Sequence, residues 1–357
     1  MILKYFVKLL LSFLKEKGLN NMNKKVITFL MIISCFFLSG CGKKDQTTTN
    51  QDKKNADIVE NKKITIIDEE SKSRPYAVVI NNYPSAVKVQ SGLNDAYMVY
   101  EIPVEGGMSR SLALFKDKKT AKVGTVRSAR HNFLDYVMEN DAIFVHFGWS
   151  HYAQDDISKL GINNINGLYD SPFWRENPEG LATEHTAYTG LDKLMEYAKD
   201  RGYRITTEEK SLLDYSTDKI DLSKKDGSTV ANNVEIPYSD SYTVKFVYDA
   251  ENENYKRYVN GVEHTDYFTR EQYTSKNIIV TKLDFTYTDD NYYLDLHNIG
   301  TGDGYYITNG YAVPIKWEKI DRSSKTVYKY LDGTPINVND GNTWIMLQSI
   351  NKTTAIN

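Results

Sequence analysis

Cysteine is almost absent from this chain, with two in 357 residues, Cys35 and Cys41. That count excludes a disulfide framework, so whatever folds must be held by its core. Charge of one sign is lacking too. The 44 Lys and Arg against 47 Asp and Glu leave a net charge of −3, which argues against a nucleic-acid partner held by phosphate neutralisation. Proline is scarce at eight residues against 27 tyrosines, a balance that favours strands with amphipathic faces over long helices. The apolar run Val26–Leu38 falls short of the ~20 residues a bilayer-spanning helix needs. HExxH, P-loop, GxSxG and nucleophilic-cysteine signatures are all missing, so the sequence names no metal and no cofactor.

What is present starts with 41% apolar residues, enough to build real cores and to exclude wholesale disorder. Residues 22–41 read MNKKVITFLMIISCFFLSGC. A methionine precedes two lysines, an apolar run follows, and Leu38-Ser39-Gly40-Cys41 closes it. That is the order of a secretory signal, and its end resembles the bacterial lipobox, in which a diacylglyceryl group is placed on the cysteine before cleavage. Met22 reads as the true start, with residues 1–21 an over-extended frame and 1–40 the signal region. Removing residues 1–40 takes away six lysines and one glutamate, leaving a net charge of −8 on a chain acylated at Cys41. Each acyl CH₂ buried in a membrane adds ~0.8 kcal/mol, so palmitate-type chains would station the protein on the extracytoplasmic face without a spanning segment.

The polar stretch that follows, with Cys41, predicts a flexible tether over 41–71. Beyond it the pattern predicts an α+β protein: a mixed α/β domain over 72–205, a linker over 206–239 and a mainly antiparallel β domain over 240–357. Tyr76–Ile80, Ser111–Phe115 and Ala142–Phe147 read as buried strands. Helical spacing of Phe133, Leu134, Val137 and Met138 predicts a helix over 128–140 capped by Ser128. A second helix is predicted from Thr189, with Asp192 completing an approximate capping box and Gly202 just past its end. From Tyr242 the period becomes two, and Asn260-Gly261, Asn309-Gly310 and Asp332-Gly333 each mark a hairpin. Gly300, Gly302 and Gly304 lie between strands rather than before a helix, so hairpin geometry explains them better than a dinucleotide fingerprint.

Long segments in one order carry a family resemblance: VVINNYPSAVKVQSGLNDAYMVYEIPVEGGMSRSLALF, VGTVRSARHNFLDYV and DAIFVHFGWS, then GTGDGYYITNGYAVPIKW and DGTPINVNDGNTWI. The chain resembles the YerB-like lipoprotein family of Gram-positive bacteria, a domain of unknown function with N- and C-terminal parts. Thr125 stands where the family pattern has proline. The resemblance implies two modules on a lipid anchor and carries over no catalytic residue.

Arg127, Ser128 and Arg130 form the most suggestive set, since a helix start with two guanidinium forks suits a phosphate, a wall-peptide carboxylate or a sugar acid. The competing reading pairs both arginines with Glu101, Glu105 or Asp135. His146 and Trp149 follow a strand, where open α/β sheets place ligands, and Glu184 with His185 could converge there as acid and base. Their spacing fits no metal signature, and a histidine satisfied inside the fold is the commoner case. Most C-terminal tyrosines read as cross-strand packing. The leading expectation is therefore a non-enzymatic envelope lipoprotein that binds an anionic or glycan-peptide ligand or a protein partner; the alternative is a cell-wall hydrolase or transferase using His146, His185 and Glu184.

Overall fold

Tyr76–Asn81 (β1) has no polar face, because both of its sides are covered. Ala77 and Val79 enter one core; Tyr76, Val78 and Ile80 enter another. Continuous apolar runs of this kind belong to strands buried on both faces, and each Val or Ile so buried contributes about 1.5–3 kcal/mol. The computed structural model describes residues 63–290 and 292–357. The signal region, Cys41 and most of the predicted tether lie outside the described residues.

β1 belongs to an eleven-stranded mixed sheet. Its other members are Met98–Val104 (β2), Met108–Phe115 (β3), Ile143–His146 (β4), Asn164–Asn166 (β5), Thr229–Val230 (β6), Asn277–Leu283 (β10), Gly300–Thr308 (β11), Tyr311–Lys319 (β12), Val327–Tyr330 (β13) and Thr343–Ser349 (β14). The order is β6-β12-β11-β10-β14-β2-β3-β1-β4-β5, with β13 beside β12. A second, six-stranded sheet is built on Asn233–Pro237 (β7), Thr243–Asp249 (β8) and Asn254–Val259 (β9). Helices Phe133–Glu139 (α1) and His151–Lys159 (α2) bury Phe133, Leu134, Val137 and Ile157 in one core. The second sheet and Leu191–Asp200 (α3) cover the opposite core with Val234, Ile236, Val244, Phe246, Leu191 and Leu194. Strands segregated from helices in this way make the α+β class predicted from the sequence, with a mixed sheet in the N-terminal region and antiparallel pairing prominent in the C-terminal one.

One large sheet passes through both of the regions assigned to separate domains. β14, from the end of the chain, lies between β2 and β10 and runs parallel to both. The described residues accordingly form a single compact unit. The stretch read as a linker over 206–239 is structured: Tyr215–Ser216 pairs with Val338–Asn339, β6 with β12, and β7 with β8. The predicted tether also ends early. Thr65 and Ile66 donate their backbone N–H groups to the Asp340 carboxylate at 2.9 and 3.0 Å, and Ile67 is buried.

Two local predictions shift. α1 starts at Phe133, five residues after Ser128, because 126–130 is spent on extended pairing: Val126 N–H donates to Ala187, and Ala129 N–H to Gly148. α3 is where it was expected, but Gly190 takes the cap position, and the Thr189 hydroxyl donates to the Pro172 carbonyl at 2.6 Å instead of capping. The hairpin turns hold. Asn260-Gly261 and Asn309-Gly310 have positive φ at both residues, as the tight primed turn requires.

A buried ion pair ties the two sheets. Glu101 on β2 and Arg257 on β9 meet at 2.6 Å with both side chains wholly inaccessible. Ser109 and Tyr242 hydroxyls donate to the same carboxylate at 2.6 and 2.8 Å. Glu101 is therefore no partner for Arg127 or Arg130.

Candidate functional site

Arg110, Arg127 and Arg130 are gathered around Glu105, at the turn between β2 and β3. Glu105 follows the last residue of β2, and Arg110 lies on β3 pointing back across that turn. Arg130 grips Glu105 with two nitrogens, Nε at 2.9 Å and Nη2 closer still. Arg110 Nη2 reaches the same carboxylate at 3.2 Å, and its Nη1 donates to the Ser128 carbonyl. Burial raises the Glu105 carboxyl, but the Arg130 hydrogen bond and the two arginine charges outweigh it and hold it low. One carboxylate thus serves two arginines, as the competing reading anticipated for Arg130. Desolvation, followed by repulsion from Arg130, lowers Arg110 to about 9.

Arg127 is different. Its Nη1 donates to the Glu184 carbonyl at 3.3 Å, and among the described residues it makes no ion pair. Burial lowers its pKa; Glu184 opposes that, and Arg130 adds to it. Arg175 is also held by the same loop, donating to Thr186 Oγ1 at 3.1 Å while its guanidinium lies 4.5 Å from the Phe147 ring. Positive charge is therefore in excess here. His185 sits in this loop, stacked on Tyr83 with ring centroids 5.0 Å apart and Nδ1 2.8 Å from the Asn81 amide. Burial, then the Arg127 charge, lowers its pKa.

Arg127, Arg130, Glu184 and His185 are thus neighbours. Ser128 joins them through its backbone, and its hydroxyl donates to the Phe147 carbonyl at 3.0 Å rather than capping a helix. Asp135 lies apart, paired with Arg322 at 2.7 Å. His146 ends β4 as predicted but is wholly buried: Nδ1 donates to the Gly148 carbonyl at 2.8 Å, and Nε2 faces the Asn164 amide at 3.2 Å. Burial lowers its pKa to about 4. Neither ring nitrogen is left to take or give a proton at a ligand, so the expected acid/base role has no free atom. Trp149 packs its ring 5.5 Å from His146 and 5.9 Å from Tyr169. Among the described residues, no three His, Cys, Asp or Glu side chains converge as a metal set.

Two participants were missed from sequence. Arg110 interrupts the apolar strand SRSLALF, an ionisable group at a buried position that a strand reading could have flagged. Tyr293 lies 4.9 Å over Arg130, brought there by the excursion between Phe285–Tyr287 and Leu294–Leu296. It is a contact between distant segments, which no local pattern reveals.

A buried mixed sheet with arginines gathered at the turn between β2 and β3 defines a class by its architecture. Family models agree: residues 64–204 match "Protein of unknown function (DUF3048) N-terminal domain" and 234–345 match its C-terminal domain. The chain belongs to the YerB-like family. It is 30% identical over 328 residues to the Bacillus subtilis (strain 168) protein called "Putative lipoprotein YerB", covering 90% of this chain and 95% of that one. The crystal structure of YerB from Bacillus subtilis superposes with a TM-score of 0.68 at 30% identity, covering 78% of this chain and 91% of the other.

Proposed function

We propose that this protein is carried on acylated Cys41 at the extracytoplasmic face of the membrane and recognises an anionic group of the cell envelope at Arg127, Ser128 and Arg130. The lipobox and the relative's description as a lipoprotein support the anchor. Among the described residues no helix is long and apolar enough to cross a membrane. The observation that carries the binding role is Arg127, a half-buried guanidinium that among the described residues makes no ion pair and feels the charge of Arg130. Such a group gains charge-assisted hydrogen bonds from an incoming anion at little further desolvation cost. Co-sedimentation with purified wall sacculi tests the role: the wild-type protein pellets and Arg127→Ala stays in the supernatant. Equal pelleting of the two would overturn it.

A further inference from the structure

Ala187–Thr189 is the middle strand of a small antiparallel sheet, between Val123–Gly124 and Phe173–Arg175. Ala187 stands opposite Arg175 on one side, and its carbonyl accepts the Val126 N–H on the other. Arg175 and Arg127 therefore leave the chain on either side of one strand, about 10 Å apart at two strand spacings of ~4.8 Å. Both turn to the 183–186 loop that leads into that strand. Arg175 Nη1 donates to the Thr183 carbonyl, and Arg127 Nη1 to the Glu184 carbonyl next to it.

Arg175, like Arg127, makes no ion pair among the described residues. Its one further hydrogen bond goes to Thr186 Oγ1 at 3.1 Å, and the Phe147 ring 4.5 Å away supports the guanidinium. A guanidinium has five N–H donors, and each of these arginines uses only Nη1 on the protein. Nε and Nη2 of both make no hydrogen bond among the described residues. His185 adds a neutral donor in the same loop. Asn81 Oδ1 accepts the Tyr83 N–H at 3.1 Å, so it is Asn81 Nδ2 that donates to His185 Nδ1, and the ring proton sits on Nε2. One carboxylate stands against them, that of exposed Glu184, held low by its own backbone N–H and then by His185, Arg127 and Arg175.

We infer that Arg175 is the second arm of the Arg127 site and that the ligand is a phosphate dianion, free or as a monoester. A planar carboxylate is filled by one guanidinium fork. A tetrahedral phosphate carries close to two charges and three acceptor oxygens, and can face two forks at once. The inference rests on the anion reading above and narrows it from any anion to one that two arginines share.

Calorimetric titration of the detergent-solubilised full chain at about pH 8, above the second phosphate pKa of about 6, compares methyl phosphate, inorganic phosphate, dimethyl phosphate and galacturonate. Methyl phosphate or inorganic phosphate binds about tenfold more tightly than galacturonate or the singly charged dimethyl phosphate, and the tighter of the first two tells ester from free ion. Arg175→Gln, which keeps a donor for the Thr183 carbonyl, loses that advantage with circular dichroism unchanged. Glu184→Gln, which removes the opposing charge, tightens phosphate, and Arg127→Gln weakens all of the anions. Phosphate binding no tighter than galacturonate, or unmoved by Arg175→Gln or by Glu184→Gln, overturns the two-armed phosphate site but leaves the anion reading standing. Failure of every one of these anions to bind the wild type removes both.

Discussion

Replacing Glu101 by Gln probes how firmly the two halves of the chain are joined. The carboxylate is wholly buried and accepts from Arg257 at 2.6 Å, Ser109 at 2.6 Å and Tyr242 at 2.8 Å. Gln keeps the volume and one acceptor oxygen but removes the charge that neutralises Arg257, whose guanidinium also lies 4.5 Å over Trp344. Breaking a buried pair by removing one partner costs about 3–5 kcal/mol, because the remaining charge is left uncompensated. At about 2 °C per kcal/mol for a unit of this size, Tm falls by about 6–10 °C. Scanning calorimetry reads the shift. Since Glu101 lies on β2 and Arg257 on β9, and β14 pairs with β2 and β10, the transition stays single. A loss below about 1 kcal/mol, or two separated transitions, would refute the reasoning.

Two further outcomes follow from side chains with no freedom to adjust. His146 has its pKa lowered to about 4 by burial, so the unfolded chain takes up its proton first, and stability falls as pH drops from about 6.5 to 4 by at most ~3 kcal/mol; His146→Asn, which keeps a donor for Gly148, flattens that slope in urea unfolding at stepped pH. Gly304 on β11 has no room for a methyl group, since a Cβ would stand 2.2 Å from the Val280 carbonyl oxygen; Gly304→Ala lowers stability by about 1–3 kcal/mol in the same assay, and an unchanged midpoint would mean the strands are further apart than described.

Much of the local structure was legible because it depends on neighbours in sequence. β1 and β4 announced themselves as apolar runs, and Asn260-Gly261 and Asn309-Gly310 as turns whose φ only such residues adopt readily. Gly302 and Gly304 were rightly kept out of a nucleotide loop: they face the Trp317 ring and the Val280 carbonyl within a hairpin. Strand order was not legible, because the continuous buried run of β14 says nothing of its lying between β2 and β10. Ser128 looked like a cap because its neighbours carry helical spacing, yet backbone pairing of Val126 and Ala129 claimed those residues first. A signal for the sheet-tying pair was available. Glu101 and Arg257 each break an otherwise apolar inward row, and two opposite charges in such rows need each other. At the site, Arg127 and Arg130 were singled out as two guanidinium groups at an expected helix start that the fold places five residues later, whereas the sharing of Glu105 with Arg110 emerged only from the fold.

The openness of Arg127 to an anion can be read from its neighbour. The Arg127 charge is one of the causes that lower the His185 pKa, after burial. Proton NMR titration of His185, run in chloride and again with saturating galacturonate, reports whether that charge becomes neutralised. The pKa moves upward with galacturonate, as it also does in Arg127→Ala without ligand; identical titration curves for the wild type in both solutions would contradict the account.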